Sequence, residues 1–234
     1  MTLWNLPDRL LALVLFPFVS VLIGLLFLAI YPIQRGPFFY RSERMRTPDQ
    51  SFTLYKIRTM HPPSVFDGER ILGGDQSDRV TRIGGILRRT RLDELPQILN
   101  ILRGDLVFIG PRPPLRKYVE AFPESYARVL SMRPGVTGLA TVMVCRREER
   151  VLSRSHSPEE TDRLYRAHCI PWKVRIDLFH QSRRTPALAA YVLFRTLFRG
   201  HVKEARVLRR WIAGLSMPRT GLRRPYSFRR RAET

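Results

Sequence analysis

Apolar positions follow three different rhythms along this chain. From Leu10 to Tyr31 they form a run of about 22 residues without a charged side chain. Next come two short aromatic and β-branched stretches, Phe38-Phe39-Tyr40-Arg41 and Phe52-Thr53-Leu54-Tyr55-Lys56-Ile57, with Thr47-Pro48-Asp49-Gln50 between them. This pattern predicts a β-hairpin closed by a loop. Residues 61–78 are rich in Pro, Gly and Asp and predict a mobile loop. Beyond residue 80 the rhythm turns helical. Two helices are predicted over 81–89 and 93–103, the second carrying Leu95, Ile98, Leu99 and Leu102 on one face. Leu106-Val107-Phe108-Ile109 predicts a short buried strand ended by Gly110-Pro111. A helix over 115–130, a rigid turn at Arg133-Pro134-Gly135-Val136-Thr137-Gly138, and helices over 158–168 and 171–199 complete the reading. The chain contains no internal repeat.

The first run is near the ~20 residues that cross a bilayer as a helix. A secretory signal fits poorly, because no small-residue cleavage site follows. Pro17 lies inside the run, removes a backbone donor and bends a helix. Two arrangements stay open: a straight span that tolerates the proline, or a re-entrant hairpin that returns to its own side. Arg35, Arg41, Arg44 and Arg46 crowd the C-terminal flank, against only Asp8 and Arg9 on the other, so the C-terminal side is expected in the cytoplasm.

Charge sharpens the picture. The 234 residues carry 41 Lys and Arg against 20 Asp and Glu, a formal net charge of +21. Such a surface meets nucleic acid, anionic lipid or a phosphorylated substrate, and charge alone does not choose among them. A hydrophobic share of 44% with 26% charged residues indicates a globular body rather than a disordered chain. Cys145 and Cys169 lack metal-ligand spacing and read as free thiols, as suits a reducing compartment. After Arg199 the residues Arg206, Arg209, Arg210, Arg223, Arg224, Arg229, Arg230 and Arg231 interleave in part with Val207, Leu208, Trp211, Ile212 and Leu215. The tail therefore reads as an interfacial amphipathic helix or as a disordered basic segment. The expected division is a membrane anchor over 1–35, a catalytic domain over 36–200 and the tail over 201–234.

The chemistry concentrates in residues 81–113. As structure, Asp93 and Glu94 are first-turn acids, and Thr90-Arg91-Leu92-Asp93 resembles a capping box. Yet Arg82, Arg88, Arg89 and Arg91 precede them, and Arg103 and Arg112 follow. A helix start favours anions, and nearby positive charge keeps a carboxylate ionised. An ionised Asp is a nucleophile for phosphorus. Two adjacent carboxylates also repel an incoming phosphate, by about 4 kcal/mol at ~4 Å and an effective dielectric near 20. A divalent cation on Asp93 and Glu94 would bridge carboxylate and phosphate oxygens, and Mg2+ suits that donor set. Arg112, held between Pro111 and Pro113, offers a planar fork to phosphate oxygens. Lys56 and Arg58 are two apart on a strand and share a face. Arg88, Arg112, Lys56 and Arg58 are the candidate phosphate contacts; Asp105 and Arg133 are weaker site candidates, for which a structural role stays open.

Several blocks then carry a resemblance. Phe52-Thr53-Leu54-Tyr55-Lys56-Ile57-Arg58-Thr59-Met60, Asp78-Arg79-Val80-Thr81-Arg82-Ile83-Gly84, Leu92-Asp93-Glu94-Leu95-Pro96-Gln97-Ile98-Leu99-Asn100, Gly104-Asp105, Gly110-Pro111-Arg112-Pro113 and Arg133-Pro134-Gly135-Val136-Thr137-Gly138-Leu139-Ala140 resemble the bacterial sugar transferase family. These are the monotopic polyprenyl-phosphate phosphoglycosyl transferases. The resemblance covers residues 33–142 and implies an α/β, membrane-associated protein. Its expected parts are an N-terminal re-entrant helix-break-helix and a small, mostly helical cytosolic domain with a β-hairpin, at the bacterial inner membrane.

It further implies transfer of a sugar 1-phosphate from a UDP-sugar to a polyprenyl (undecaprenyl) phosphate. UMP is released, and the reaction initiates exopolysaccharide, capsule or O-antigen synthesis. The family's Asp-Glu pair maps onto Asp93, the nucleophile of a covalent phosphosugar intermediate, and Glu94, its metal-site or acid/base partner. Mg2+ is the implied cofactor. The implied partners are the UDP-sugar, the lipid phosphate and membrane lipid; nucleic acid is not expected, and a homodimer is allowed. This chain departs from the family's pattern in places. Phe16 precedes Pro17 where Ser is frequent, and Arg91 stands where Ser or Thr is frequent, which leaves Thr90 as the expected cap. Thr141-Val142-Met143-Val144-Cys145-Arg146 replaces a frequent Gln-Val-Asn-Gly-Arg, with Arg146 the candidate substrate-binding substitute. Two rivals follow: an inactive membrane scaffold of the same fold, suggested by the altered segment, and a membrane-tethered nucleic-acid-binding protein, which leaves the Asp-Glu pair unexplained.

Overall fold

The computed structural model describes residues 6–34, 36–61, 79–155 and 157–198. The expected basic tail and nearly all of the expected loop at 61–78 lie outside the described residues. The elements run α1 (Leu6–Ile30), β1 (Phe39–Met45), β2 (Ser51–Ile57), α2 (Arg82–Thr90), a 3-10 helix (Leu92–Gln97), α3 (Ile98–Arg103) and β3 (Val107–Ile109). They continue with α4 (Arg116–Ala121), α5 (Pro123–Val129), β4 (Gly135–Thr137), α6 (Leu139–Leu152), α7 (Pro158–Leu164), a π turn (Tyr165–Cys169), α8 (Ile170–Ser182) and α9 (Pro186–Leu197). The result is a small mixed α/β body, mostly helical, with one apolar N-terminal helix.

α1 is long and apolar enough to cross a membrane by length and composition. It continues through Pro17 rather than stopping there. One side of it packs on the body: Ala12, Leu15, Phe16 and Val19 meet Phe52 and Leu54 of β2 and Ile98 and Ile101 of α3. Farther along, Ile30 joins Phe38, Ile57 and Leu87. The other side leaves Leu13, Val14, Phe18, Val21, Leu25 and Leu28 exposed. Both helix ends are tied to the body. Phe108 N donates to Asp8 Oδ1 at 2.9 Å and Arg9 Nη2 to the Arg103 carbonyl at 2.7 Å. At the far end the Phe27 ring meets Phe38 edge-on.

β1 and β2 pair antiparallel, Phe39 opposite Ile57 and Met45 opposite Ser51, which is the expected hairpin with a longer first strand. Asn100, fully buried, fastens α3 to β2: its amide nitrogen donates to the Thr53 carbonyl at 2.7 Å and its Oδ1 accepts from Tyr55 N at 3.2 Å. β3 and β4 form a parallel pair, so the segment expected as a rigid turn at 133–138 contains a strand. The chain crosses itself there without room for side chains. A Cβ on Gly110 would meet the Arg133 carbonyl, and one on Gly138 the Gly110 carbonyl. The close approach that Gly110 permits is therefore to its own chain.

Other expectations need adjustment. The helix expected over 93–103 begins as a 3-10 turn, because Pro96 lacks the N–H that an α-helical bond to the Leu92 carbonyl would need. Thr90 is not the cap. Its hydroxyl donates within α2 to the carbonyls of Ile86 and Leu87, and Arg91, in the left-handed region at φ 59°, makes the corner. The helix over 115–130 is two helices broken at Phe122, where Pro123 starts anew. The one over 171–199 breaks before Pro186 for the same reason. α6 has no counterpart in the sequence reading. It packs through Leu139, Ala140 and Val144 on Ile176 and Phe179 of α8 and Val192 of α9.

Candidate active site

The Asp93–Glu94 pair sits on the 3-10 turn, which the Arg91 corner and the short α3 hold against β2. Both residues are buried, at 7% and 8% exposure. β2 brings Lys56 to them. Lys56 Nζ donates to Glu94 Oε1 at 3.0 Å and stands 3.9 Å from Asp93 Oδ2, too far for a hydrogen bond. Arg112 Nη2 donates to the same Glu94 oxygen at 3.1 Å, and Arg91 Nη1 to the other at 2.6 Å. Glu94 is thus clasped by three cations, while Asp93 shares the weaker edge of one.

The electrostatics follow. Burial pushes the Glu94 carboxyl up, but Arg112, Lys56 and Arg91 together outweigh it and hold the group well below the usual carboxylate range. Burial raises Asp93, and Lys56 opposes this only in part, so it remains above its ordinary value. Burial, reinforced by Arg112, brings Lys56 down to about 8. Two neighbouring carboxylates are thereby made unlike: one a fixed counter-ion, the other an acceptor with unclaimed capacity.

The pair opens into a cleft of about 880 Å³ lined by Lys56, Arg58, Arg79, Arg88, Arg91 and Arg112. Four expected phosphate contacts therefore meet in one place. Their settings differ. Arg88 Nε donates to Thr59 Oγ1 at 2.9 Å, with its helix start seated on β2's end: Thr81 Oγ1 caps α2, and a Cβ on Gly84 would collide with the Thr59 carbonyl. Arg58 lines the cleft but donates to the Gln34 carbonyl at 2.7 Å, bracing the turn that follows α1. Three expected residues fall elsewhere. Arg133 lines a separate cavity with Asp8, His180 and Arg184. Arg146 is exposed on α6 and absent from the cleft wall, where the helical turn presents Thr141, Cys145, Glu148 and Glu149. Asp105 is bound to Asn100 and to Arg46 away from the cleft.

Sequence reasoning missed Arg44, Thr141, Glu148 and Lys173 as cleft residues. Arg44's place on β1, opposite Phe52 and one residue before the buried Met45, was the available signal; the others depend on the packing of α6 on α8. Among the described residues no cluster of three or more His, Cys, Asp or Glu is placed to hold a metal. Asp93 and Glu94 supply two carboxylates, with Glu94's oxygens already engaged. That leaves Asp93 as the open carboxylate, a donor that suits Mg2+ only in the mode in which water and substrate phosphates complete the shell.

The profile of the family described as bacterial sugar transferase matches residues 2–202. The chain is 45% identical over 114 residues to UDP-glucose:undecaprenyl-phosphate glucose-1-phosphate transferase of Caulobacter vibrioides, covering 46% of this chain and 41% of that protein. It is 30% identical over 203 residues to the Escherichia coli K12 protein of the same name, covering 85% of this chain and 40% of the relative. It is 37% identical over 143 residues to the uncharacterized sugar transferase EpsL of Bacillus subtilis 168, covering 61% of this chain and 69% of EpsL. The chain thus spans well under half the length of the two glucose-1-phosphate transferases.

Proposed function

The chain belongs to the bacterial sugar transferase family, and on that premise we propose that it transfers a sugar 1-phosphate from a UDP-sugar to undecaprenyl phosphate in the membrane, releasing UMP. The observation that carries this reading is the asymmetry of the carboxylate pair: Glu94 clasped by Lys56, Arg91 and Arg112, and Asp93 left to face the cationic cleft.

In the first step an Asp93 carboxylate oxygen attacks the sugar-side phosphorus, and the bond to the bridging oxygen breaks. UMP leaves with the electron pair, and Asp93 carries the phosphosugar. In the second step an oxygen of the lipid phosphate attacks that phosphorus. The Asp93–phosphorus bond breaks and the carboxylate returns. No proton need move in either step, which agrees with Glu94 staying ionised rather than acting as an acid. Arg88, Arg112 and Lys56 steady the phosphate oxygens. Glu94 acts by positioning Lys56 and Arg112. Asp93, the carboxylate of the pair whose oxygens are not engaged, would hold Mg2+, which would supply charge neutralisation between carboxylate and diphosphate.

We further infer that α1 enters the bilayer without crossing it, with the catalytic body on the cytoplasmic face of the inner membrane. A helix of 25 residues is about 37 Å long at 1.5 Å per residue. Asp8 and Arg9 at its start are bonded to the body, as is its far end. A perpendicular span would carry charged Asp8, Arg9 and Arg103 to the opposite leaflet. The exposed leucine, valine and phenylalanine face of α1 is then the lipid-facing one.

The test is UMP release from the full chain in membranes with Mg2+, undecaprenyl phosphate and a panel of UDP-sugars. Wild type should release UMP, and Asp93→Asn should not. Equal release from both would remove Asp93 as nucleophile, and no release with any donor would leave the scaffold reading.

A further inference from the structure

Behind Arg112 the cleft continues into a smaller chamber of about 280 Å³, and Arg44, Arg112, Thr141, Glu148 and Lys173 belong to both walls. Its chemistry differs from that of the cationic cleft. Its inner wall is made by Asp177, Tyr118, Tyr126 and Tyr165, with Pro113 and Leu115 as apolar lining. Most polar groups there are satisfied by one another. Lys173 Nζ donates to Glu148 Oε1 at 2.7 Å and to Tyr165 Oη at 3.1 Å, and Tyr118 Oη donates to Asp162 at 2.9 Å.

Two oxygens are exceptions. Thr141 Oγ1 and Asp177 Oδ1 are buried atoms without a hydrogen-bond partner. Asp177 is only 8% exposed, and its burial, which Lys173 opposes only in part, pushes the carboxyl up to about 7. A buried polar group without a partner is costly, and a native structure that retains one calls for a specific reason, of which a group bound in the chamber is one. The volume sits at the lower edge of the ~300–1,000 Å³ of small-molecule sites. That is room for one ring rather than a whole nucleotide. Aromatic walls with a few convergent acceptors suit an uncharged ring bearing hydroxyls, not another phosphate.

We infer that this chamber receives the hexose ring of the sugar nucleotide, with Thr141 Oγ1 and Asp177 Oδ1 bonding its hydroxyl groups and so selecting among donors. The inference rests on the transferase reading above and deepens it. It follows from connectivity: the ring is attached to the phosphorus that Asp93 attacks, and Arg112 borders both spaces. Asp177 accepts from a ring hydroxyl, while Thr141 can accept or donate. The altered run after Ala140 then has a specific consequence, because α6 places Thr141 where the phosphate and sugar regions meet.

The test compares binding of UDP, UDP-glucose and UDP-N-acetylgalactosamine to the full chain by calorimetry, for wild type, Thr141→Val, Thr141→Ser and Asp177→Asn. Thermal unfolding serves as the fold control. Loss of one buried hydrogen bond predicts about tenfold weaker binding of the preferred UDP-sugar in Thr141→Val and Asp177→Asn. UDP binding should change less than about twofold, and Thr141→Ser should restore the sugar's affinity. Should Asp177→Asn fail to fold, the Thr141 pair carries the test. If UDP weakens as much as the UDP-sugars, the chamber holds uridine and the inference is overturned. Equal affinities across all variants overturn it as well, as does a chain that binds none of the three. UMP release is measured separately on the same samples. Selective loss of sugar binding without turnover in wild type would sustain the chamber assignment and reject the transferase activity; turnover with indifferent variants would do the reverse.

Discussion

Lys56 Nζ lies 3.0 Å from Glu94 Oε1, on a strand whose next two residues close the wall of the cleft. The ammonium is the hinge of the site's charge balance, and burial brings its pKa down to about 8. The folded value is depressed relative to the unfolded one, near ~10.4. Between about 8 and 10.5 the unfolded chain therefore binds more protons, and this group's contribution to stability rises with pH. Activity should move the opposite way. Above about 8 a neutral Lys56 no longer offsets Asp93, Glu94 and the diphosphate, so kcat/KM falls. A pH–rate profile with an alkaline limb near 8, displaced upward in Lys56→Arg, is the expected result. A profile unchanged by that substitution would detach Lys56 from the limb.

Glu94→Gln keeps shape and removes the charge that Lys56, Arg91 and Arg112 share. Three cations then face one another around a buried amide. Breaking a buried ion pair from one side costs roughly 3–5 kcal/mol, so denaturant unfolding should show a loss of at least about 3 kcal/mol. Asp93→Asn, in contrast, should leave stability within about 1 kcal/mol, because burial already disfavours its ionised form. A larger loss at Asp93 than at Glu94 would reverse the roles assigned to the pair.

This site was partly legible in the sequence, for reasons that differ by residue. Asp93, Glu94, Arg88, Arg112, Lys56 and Arg58 stand in short motifs whose local geometry delivers them to one cleft, and all six line it. The hairpin was legible in its two aromatic and β-branched stretches, but β1 runs on through residues 42–45, beyond the expected 38–41, because pairing with β2 holds residues that carry no strand pattern of their own. Arg133 and Arg146 lie outside the cleft for different reasons. Arg133 precedes a strand, β4, whose parallel pairing with β3 has no local signal. Arg146 was assigned by analogy with a run this chain does not contain, and the face of α6 it occupies is decided by packing on α8. The chamber residues Asp177 and Lys173 belong to a helix whose buried acid no periodicity reveals.

Asn100 sets the distance between the turn carrying Asp93 and Glu94 and the strand carrying Lys56. Its side chain holds Thr53 O, Tyr55 N and Asp105, and it is fully buried. Asn100→Leu strands two backbone groups, each costing about 1–3 kcal/mol. The expected loss is roughly 2–4 kcal/mol on urea unfolding, together with a fall in kcat at folded temperatures as Lys56 drifts from Glu94. Stability equal to wild type would show that β2 is held by other contacts.

Gly84 seats α2 on the end of β2, where a Cβ would strike the Thr59 carbonyl. Gly84→Ala must lift the helix start, and overpacking of this kind costs about 1–3 kcal/mol. The same shift draws Arg88 from Thr59 Oγ1, to which it donates at 2.9 Å. Donor KM should rise while α1's membrane association stays unchanged, and flotation of membranes alongside UMP-release kinetics separates the two. An unaltered KM would mean Arg88 does not touch the donor.

The bonds at the start of α1 give the topology its own test. Asp8 accepts from Phe108 N and Arg9 donates to Arg103 O, so residues flanking the helix at Leu6 and Ile33 should face the same compartment. With Cys145 and Cys169 replaced by serine, single cysteines at these two positions can be labelled by a membrane-impermeant maleimide. Both should react in inverted inner-membrane vesicles and neither in intact spheroplasts. Asp8→Ala removes the acceptor for Phe108 N and frees one end of the helix. Its apolar length alone would permit a crossing, so in this variant the position near Leu6 should begin to label from outside. Labelling of the Leu6 position only from outside in the otherwise native chain would establish a full span, and the contacts at Asp8 and Arg9 would then need another explanation.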